Sequence, residues 1–323
     1  YTTAMMNGYN PNSVVPDAPI TIGNWSPKNY GRSYAGRVTL TTALVKSINT
    51  VPVRLGVAMG RDKIIETARK MGLTSPLTRD PTLALGSSGV KVIDMAGAYA
   101  TFANGGFKAT PYGITEIRTS KGDVIYDHAR DAPKPERVLP EETVAAMNSI
   151  LVQIPVWGTA RRAAIDGVQV GGKTGTTQAY RDAWFIGFTG NYCAAVWLGN
   201  DDYTSTNRIT GGSLPAQTWQ QVMKFAHANV DLKPIPYVGS DGQILRKKKQ
   251  VVATLYPDGQ ATISSAVPLS LSSESVAVIE HIETLMRGAI ESAANDAAPI
   301  RQSAAAPISP AEAAKAGEPN PVR

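Results

Sequence analysis

A chain of 323 residues, 43% hydrophobic and 18% charged, can bury one large core and a smaller appendage. Its net charge of +6 is too modest to mark a nucleic-acid binder, and no stretch approaches about 18 consecutive apolar residues, so no membrane span is expected. A single cysteine, Cys193, excludes an internal disulfide, and three histidines in no close cluster argue against a metal centre. No metal and no cofactor are expected.

Residues 1–36 are rich in Pro, Asn, Gly and Tyr and read as a long irregular surface segment. Val38 to Lys46 has helical spacing, with Leu40, Leu44 and Val45 on one face. Asn49 and Thr50 offer caps, and Pro52 suits the first turn of a second helix running through Gly56 and Met59. Ser47 and Asn49 therefore fall at a helix-to-helix junction. Further helices are expected over Arg61–Met71, stopped by Gly72, and over Val92–Phe102, stopped by Asn104-Gly105-Gly106. Residues 111–127 alternate around Gly122-Asp123 and suggest a hairpin; Pro140–Ile154 fits a helix with Glu141 and Glu142 in its first turn.

The clearest β pattern follows. Val168–Thr174, Ala183–Thr189 and Tyr192–Leu198 read as an antiparallel meander, with a turn at Gly190-Asn191 and a closing helix over Leu214–Asn229. The expected architecture is thus α/β (α+β): an antiparallel sheet flanked by helices, beside a helical lobe, over residues 1–235. Residues 236–292 form an extension with the basic run Lys247–Lys249, a hairpin from Val251 to Thr262 turning at Pro257-Asp258-Gly259, and a helical pattern over Ser272–Ile290. Residues 293–323 are Ala, Pro, Ser and charge, and read as a disordered tail.

Two short motifs carry chemistry. In Lys173-Thr174-Gly175-Thr176-Thr177, Gly175 lets an extended peptide approach the strand backbone, and the hydroxyls of Thr174 and Thr176 can meet a terminal carboxylate. Lys173 adds a positive charge that favours an anionic peptide end. The Thr176 N–H is a candidate oxyanion donor. Gly167 to Thr174 formally matches Gly-x-x-x-x-Gly-Lys-[Ser/Thr], but the apolar alternation runs through the would-be phosphate loop and Gly175 breaks any helix after it, which argues against a nucleotide site. Ser47-Ile48-Asn49 is uninformative alone; at a helix junction it supplies a hydroxyl and an amide.

The order Ser47-Ile48-Asn49, then Lys173-Thr174-Gly175, resembles two of the three active-site motifs of the penicillin-binding proteins. The strings Trp25-Ser26-Pro27-Lys28-Asn29-Tyr30, Ala43-Leu44-Val45-Lys46, Leu83-Ala84-Leu85-Gly86, Met95 to Gly106 and Asp182 to Gly187 extend the likeness over roughly residues 1–230, to the transpeptidase domain of class A (1A-type) members. That resemblance implies the penicillin-binding-protein/serine β-lactamase-like transpeptidase fold, N-terminally incomplete, and serine acyl transfer that cross-links D-Ala-D-Ala stem peptides of peptidoglycan. It implies acylation by β-lactams and a place on the periplasmic face of the bacterial inner membrane, with membrane contact only through an upstream anchor. It casts Ser47, Asn49 and Lys173 as catalytic and Thr174 to Thr177 as substrate-binding. Two alternatives stay open: a non-catalytic binding or scaffolding module of the same fold, and a D,D-carboxypeptidase.

The family's nucleophile motif, Ser-x-x-Lys, belongs upstream of Ser47, where residues 1–46 hold none. The expectation is that the serine lies about ten residues before Tyr1 in a longer parent, and that this polypeptide alone is inactive. Ser88-Gly89-Val90-Lys91 has the right form in the wrong order and reads as a turn leading into the Val92 helix.

Overall fold

The computed structural model describes residues 1–245 and two strands beyond them. Residues 1–245 belong to one compact unit. In chain order its elements are α1 (Thr2–Met6), β1 (Val14–Asp17), β2 (Gly36–Thr39), α2 (Leu40–Val45), α3 (Thr50–Met59), α4 (Arg61–Lys70), α5 (Val92–Ala103), β3 (Glu116–Arg118), β4 (Val124–Asp127), α6 (His128–Asp131), α7 (Glu141–Leu151), α8 (Ile154–Trp157), β5 (Gly171–Thr176), β6 (Asp182–Phe188), β7 (Cys193–Gly199) and α9 (Leu214–Ala226).

The expected meander is present as a three-stranded antiparallel sheet in the order β5-β6-β7, with Gly175 opposite Trp184 and Trp184 opposite Trp197. Alternate residues of β6 serve opposite faces. Phe185 packs edge-on against the fully buried Trp219 of α9, while Phe188 meets Phe102 of α5 on the other face. The sheet is therefore covered on both sides by helices. β5 starts at Gly171 rather than Val168, because Val168 is instead bridged to Ile165 around Gly167 (φ 75°). Gly171 and Gly172 are packing residues: a Cβ on Gly171 would stand 2.7 Å from Cζ of Phe188, and one on Gly172 would stand 2.7 Å from Cζ of Phe185. The glycines that mimic a phosphate loop lie flat beneath two aromatic rings.

The first 36 residues depart from the irregular segment expected. Thr3, Ala4 and Met5 of α1 are buried, and β1 pairs antiparallel with β2, Val15 opposite Val38. Val38 and Thr39 are consequently strand, not helix. α2 begins at Leu40, where Thr39 caps it by accepting from the Thr42 N–H at 3.1 Å. The helix expected over Pro140–Ile154 ends at Leu151 and resumes as the short α8, with Pro155 in its first turn.

In the second unit, β8 (Val252–Leu255) pairs antiparallel with β9 (Ala261–Ser264). The Lys247–Lys249 run, the turn expected at Pro257–Gly259, the helical pattern over Ser272–Ile290 and the tail lie outside the described residues.

Candidate active site

Ser47-Ile48-Asn49, with the C-cap Lys46 before it, makes up the connection between α2 and α3, and both helices are anchored in the core by Leu44, Val45, Val51 and Val53. Ser47 sits at φ 56°, a left-handed conformation that costs a non-glycine residue roughly 1–2 kcal/mol. Asn49 does not cap α3 with its own side chain. Instead Asn29 Oδ1 accepts from the Asn49 N–H (3.0 Å) and the Thr50 N–H (3.4 Å), and Asn49 Nδ2 donates to Lys28 O at 2.8 Å.

Asp17 holds this arrangement from behind. Its carboxylate is buried and accepts from Thr50 Oγ1 (2.6 Å), the Ala35 N–H (2.7 Å) and Asn29 Nδ2 (2.8 Å). Burial alone would raise its pKa, but these hydrogen bonds and the charge of Arg54 outweigh it and hold the carboxyl below its ordinary range.

The opposite wall is β5. The Thr177 N–H donates to Asp182 O at 3.0 Å, in register with Thr176 opposite Ala183. Backbone groups alternate in direction along an antiparallel strand, so the N–H and C=O of Thr176 and Thr174 face the unpaired edge. Lys173 Nζ donates to Ser47 Oγ at 2.8 Å and to Thr174 O at 2.9 Å. No salt bridge joins Lys173 to a carboxylate among the described residues. Burial without such a counter-charge pushes its pKa down to about 8 from an ordinary 10.5.

Ser47 and Lys173 are thus brought into contact from sequence positions far apart, with Thr174 and Thr176 on the same edge and Asn49 two residues beyond Ser47. No hydrogen bond joins Asn49 to Lys173 among the described residues. Thr174 Oγ1 bonds Thr159 Oγ1 at 2.7 Å, and Thr176 Oγ1 accepts from the Gly211 N–H at 3.0 Å. Gly211 lies directly on the strand: a Cβ there would be 2.2 Å from Trp184 O and 2.5 Å from Gly175 O. Thr177 is committed elsewhere, its hydroxyl bonded to the Asp182 N–H (2.8 Å) and to Oδ2 (3.1 Å). Asp182 also accepts from Trp197 Nε1 at 2.9 Å, so it orients the turn after β5 rather than standing idle.

Beside Lys173 lies a cavity of about 700 Å³, walled by Gly175, Trp184 and Ile186 of the sheet and by Leu83, Met95 and Tyr99 of the helical lobe. Ser88 lines it too, but its hydroxyl is held by the N–H and Oγ1 of Thr78 (3.0 and 3.1 Å), and Lys91 is exposed at the start of α5. Cys193 is half-buried with Sγ 3.4 Å from Ala96 O, and burial pushes its thiol up to about 12. Sequence reasoning missed Asp17, Asn29 and the Gly211-Gly212 segment as supports of the site. The Trp25–Tyr30 string and the paired glycines before α9 were the available signals.

Residues 1–224 match the family model for the penicillin binding protein transpeptidase domain. The chain is 32% identical over 282 residues to penicillin-binding protein 1A of Pseudomonas aeruginosa, covering 70% of this chain and 34% of that relative. It is 37% identical over 202 residues to penicillin-binding protein 1A of Aquifex aeolicus, covering 62% and 27%. The crystal structure of penicillin-binding protein 1A from Haemophilus influenzae superposes with a TM-score of 0.66 at 25% identity, covering 84% of this chain and 47% of that one. The imipenem acyl-enzyme complex of penicillin-binding protein A from M. tuberculosis gives 0.60 at 27% identity, covering 70% and 58%. The chain spans about a third of the length of the curated relatives it matches. The Ser47-to-Asn49 link and β5 both fall within the matched residues, and the chain belongs to the penicillin-binding protein transpeptidase domain family.

Proposed function

We propose that this domain performs serine acyl transfer on D-Ala-D-Ala peptide ends, cross-linking the stem peptides of peptidoglycan, and that β-lactams acylate the same serine. The observation that carries this reading is the 2.8 Å contact between Lys173 Nζ and Ser47 Oγ across a groove bordered by the Thr174 and Thr176 edge. A serine hydroxyl attacks the penultimate carbonyl, its proton passes through the Ser47 and Lys173 network to the departing D-Ala amine, and an acyl-enzyme remains. An amine of a second stem peptide then takes the acyl group and releases the serine. With a pKa of about 8, about a tenth of Lys173 is neutral at pH 7, which gives the network a proton acceptor.

In this reading Asn49 donates its remaining amide hydrogen to the donor peptide, the Thr176 N–H stabilises the oxyanion, and Thr174, Gly175 and Thr176 grip the peptide end. Thr177 acts by fixing the turn through Asp182. The attacking serine is not one of residues 1–323, whose one Ser-x-x-Lys is Ser88–Lys91. The chemistry calls for no cofactor. The place of action is the periplasmic face of the inner membrane, where the substrate lies; no helix among the described residues is long and apolar enough to cross a membrane.

The test is the Ser47→Ala variant in a protein extended upstream through a Ser-x-x-Lys segment. Its acylation by fluorescent penicillin is expected to slow by roughly 10²–10⁴-fold, with the thermal midpoint nearly unchanged. An acylation rate equal to that of the parent would remove Ser47 from the proton path.

A further inference from the structure

Three consecutive residues, Lys28, Asn29 and Tyr30, link the Asn49 junction to the turn after β5. Lys28 O and Asn29 Oδ1 hold Asn49 and Thr50, as described above. The next side chain crosses to the other wall: the Tyr30 and Tyr180 hydroxyls are 3.0 Å apart, between residues 150 positions distant. Tyr180 stands in the turn between β5 and β6, three residues past Thr177. These contacts close a hoop. It runs from Lys173 to Ser47, along the chain to Asn49, across to Lys28 and Tyr30, over to Tyr180, and back along β5 to Lys173.

The links of the hoop differ in strength. The Lys173–Ser47 contact is half-buried. The Tyr30–Tyr180 contact is solvent-facing, with Tyr30 79% exposed. The turn beneath it is under tension, since Ala179 (φ 57°) and Tyr180 (φ 56°) are successive non-glycine residues in the left-handed region. The Thr206 N–H holds Tyr180 O at 3.0 Å from behind. An exposed bond between neutral hydroxyls on a strained turn is the link that parts first.

We propose that Tyr30 and Tyr180 form a clasp over the groove, a specificity-determining pair whose opening admits ligands too bulky to pass beneath it. The ligand class rests on the transpeptidase reading: acyl donors carrying a large group on the amide side, as a stem peptide or a dye-bearing penicillin does. The closed clasp lowers the rate for such donors by the fraction of time it is shut.

The experiment measures second-order acylation rates in the upstream-extended protein, for the parent, Tyr30→Phe, Tyr180→Phe and the double variant. One probe is a dye-bearing penicillin and the other is 6-aminopenicillanic acid, which carries no side group. Each single variant breaks the same bond while keeping the ring. The dye-bearing penicillin should react about two- to tenfold faster with either variant, and the double variant should match the singles. The small probe should change by less than about twofold. Dye-penicillin rates that are unchanged, that fall, or that multiply in the double variant would overturn the clasp while leaving the transpeptidase reading intact. A parent protein that takes up neither probe would sink the transpeptidase reading, and the clasp's role with it.

Discussion

Fluorescent penicillin is expected to leave residues 1–323 unlabelled and to label a polypeptide extended upstream by about 30 residues, a difference on the order of 10⁶ in acylation. The reason is chemical. An acyl-enzyme needs a serine whose hydroxyl is free to attack and whose proton has somewhere to go. Ser88 belongs to the one Ser-x-x-Lys of the sequence, but its hydroxyl is tied to Thr78, and no hydrogen bond joins it to the exposed Lys91 among the described residues. Ser47 contacts the lysine, yet it sits at a left-handed position in the short link between α2 and α3 with its N–H already donated to Leu44 O, so that N–H is no oxyanion donor. In-gel fluorescence and intact mass measure the outcome. A covalent adduct on Ser88 or Ser47 of the short polypeptide would show that the nucleophile is among the residues described here.

Lys173→Met in the extended protein should cut acylation by about 10³-fold, since it removes both the proton acceptor and the charge that meets the carboxylate. The same variant has a second, independent signature. Because the folded-state pKa of Lys173 is about 8 and its ordinary value 10.5, the unfolded chain binds more protons between these limits. Stability of the parent therefore rises as pH climbs from 8 to 10.5, and the burial cost is fully present below pH 8. The size of that rise is on the order of 3 kcal/mol. In Lys173→Met this contribution should vanish, so comparing denaturant midpoints of the two proteins at pH 7.5 and 10 reads it directly, each value being an approximate bracket of the window. An identical pH dependence in both would mean that Lys173 is not buried as described.

The sheet and its motif strand were legible because β5 to β7 carry both alternation and turn residues, and because Lys173-Thr174-Gly175 sits inside that pattern. The α2–α3 junction was legible from apolar spacing and from Pro52 in the first turn of α3, although Asn49 does not cap that helix with its side chain. The opening segment was not. Val14 and Val15 are followed by Pro16, and their partner strand is some twenty residues away, so pairing depends on a register that local composition does not reveal. Asp17 has no motif around it. Its importance comes from being enclosed by Ala35, Asn29 and Thr50, which are separate in sequence. The resemblance groups Thr177 with Thr174 and Thr176 as substrate-binding, but alternation along the ladder gives its N–H to Asp182 O, and its hydroxyl is engaged by Asp182 as well. The Tyr30–Tyr180 contact had no local signal at all.

The most direct test of a groove between the two walls is amide hydrogen exchange on the upstream-extended protein, before and after acylation by penicillin. Exchange should slow at Thr174 and Thr176, whose N–H groups face the strand edge, and across Ser47–Asn49, while the Ser88 turn stays as it was. Unchanged exchange along β5, or slowing confined to the Ser88 turn, would contradict the site.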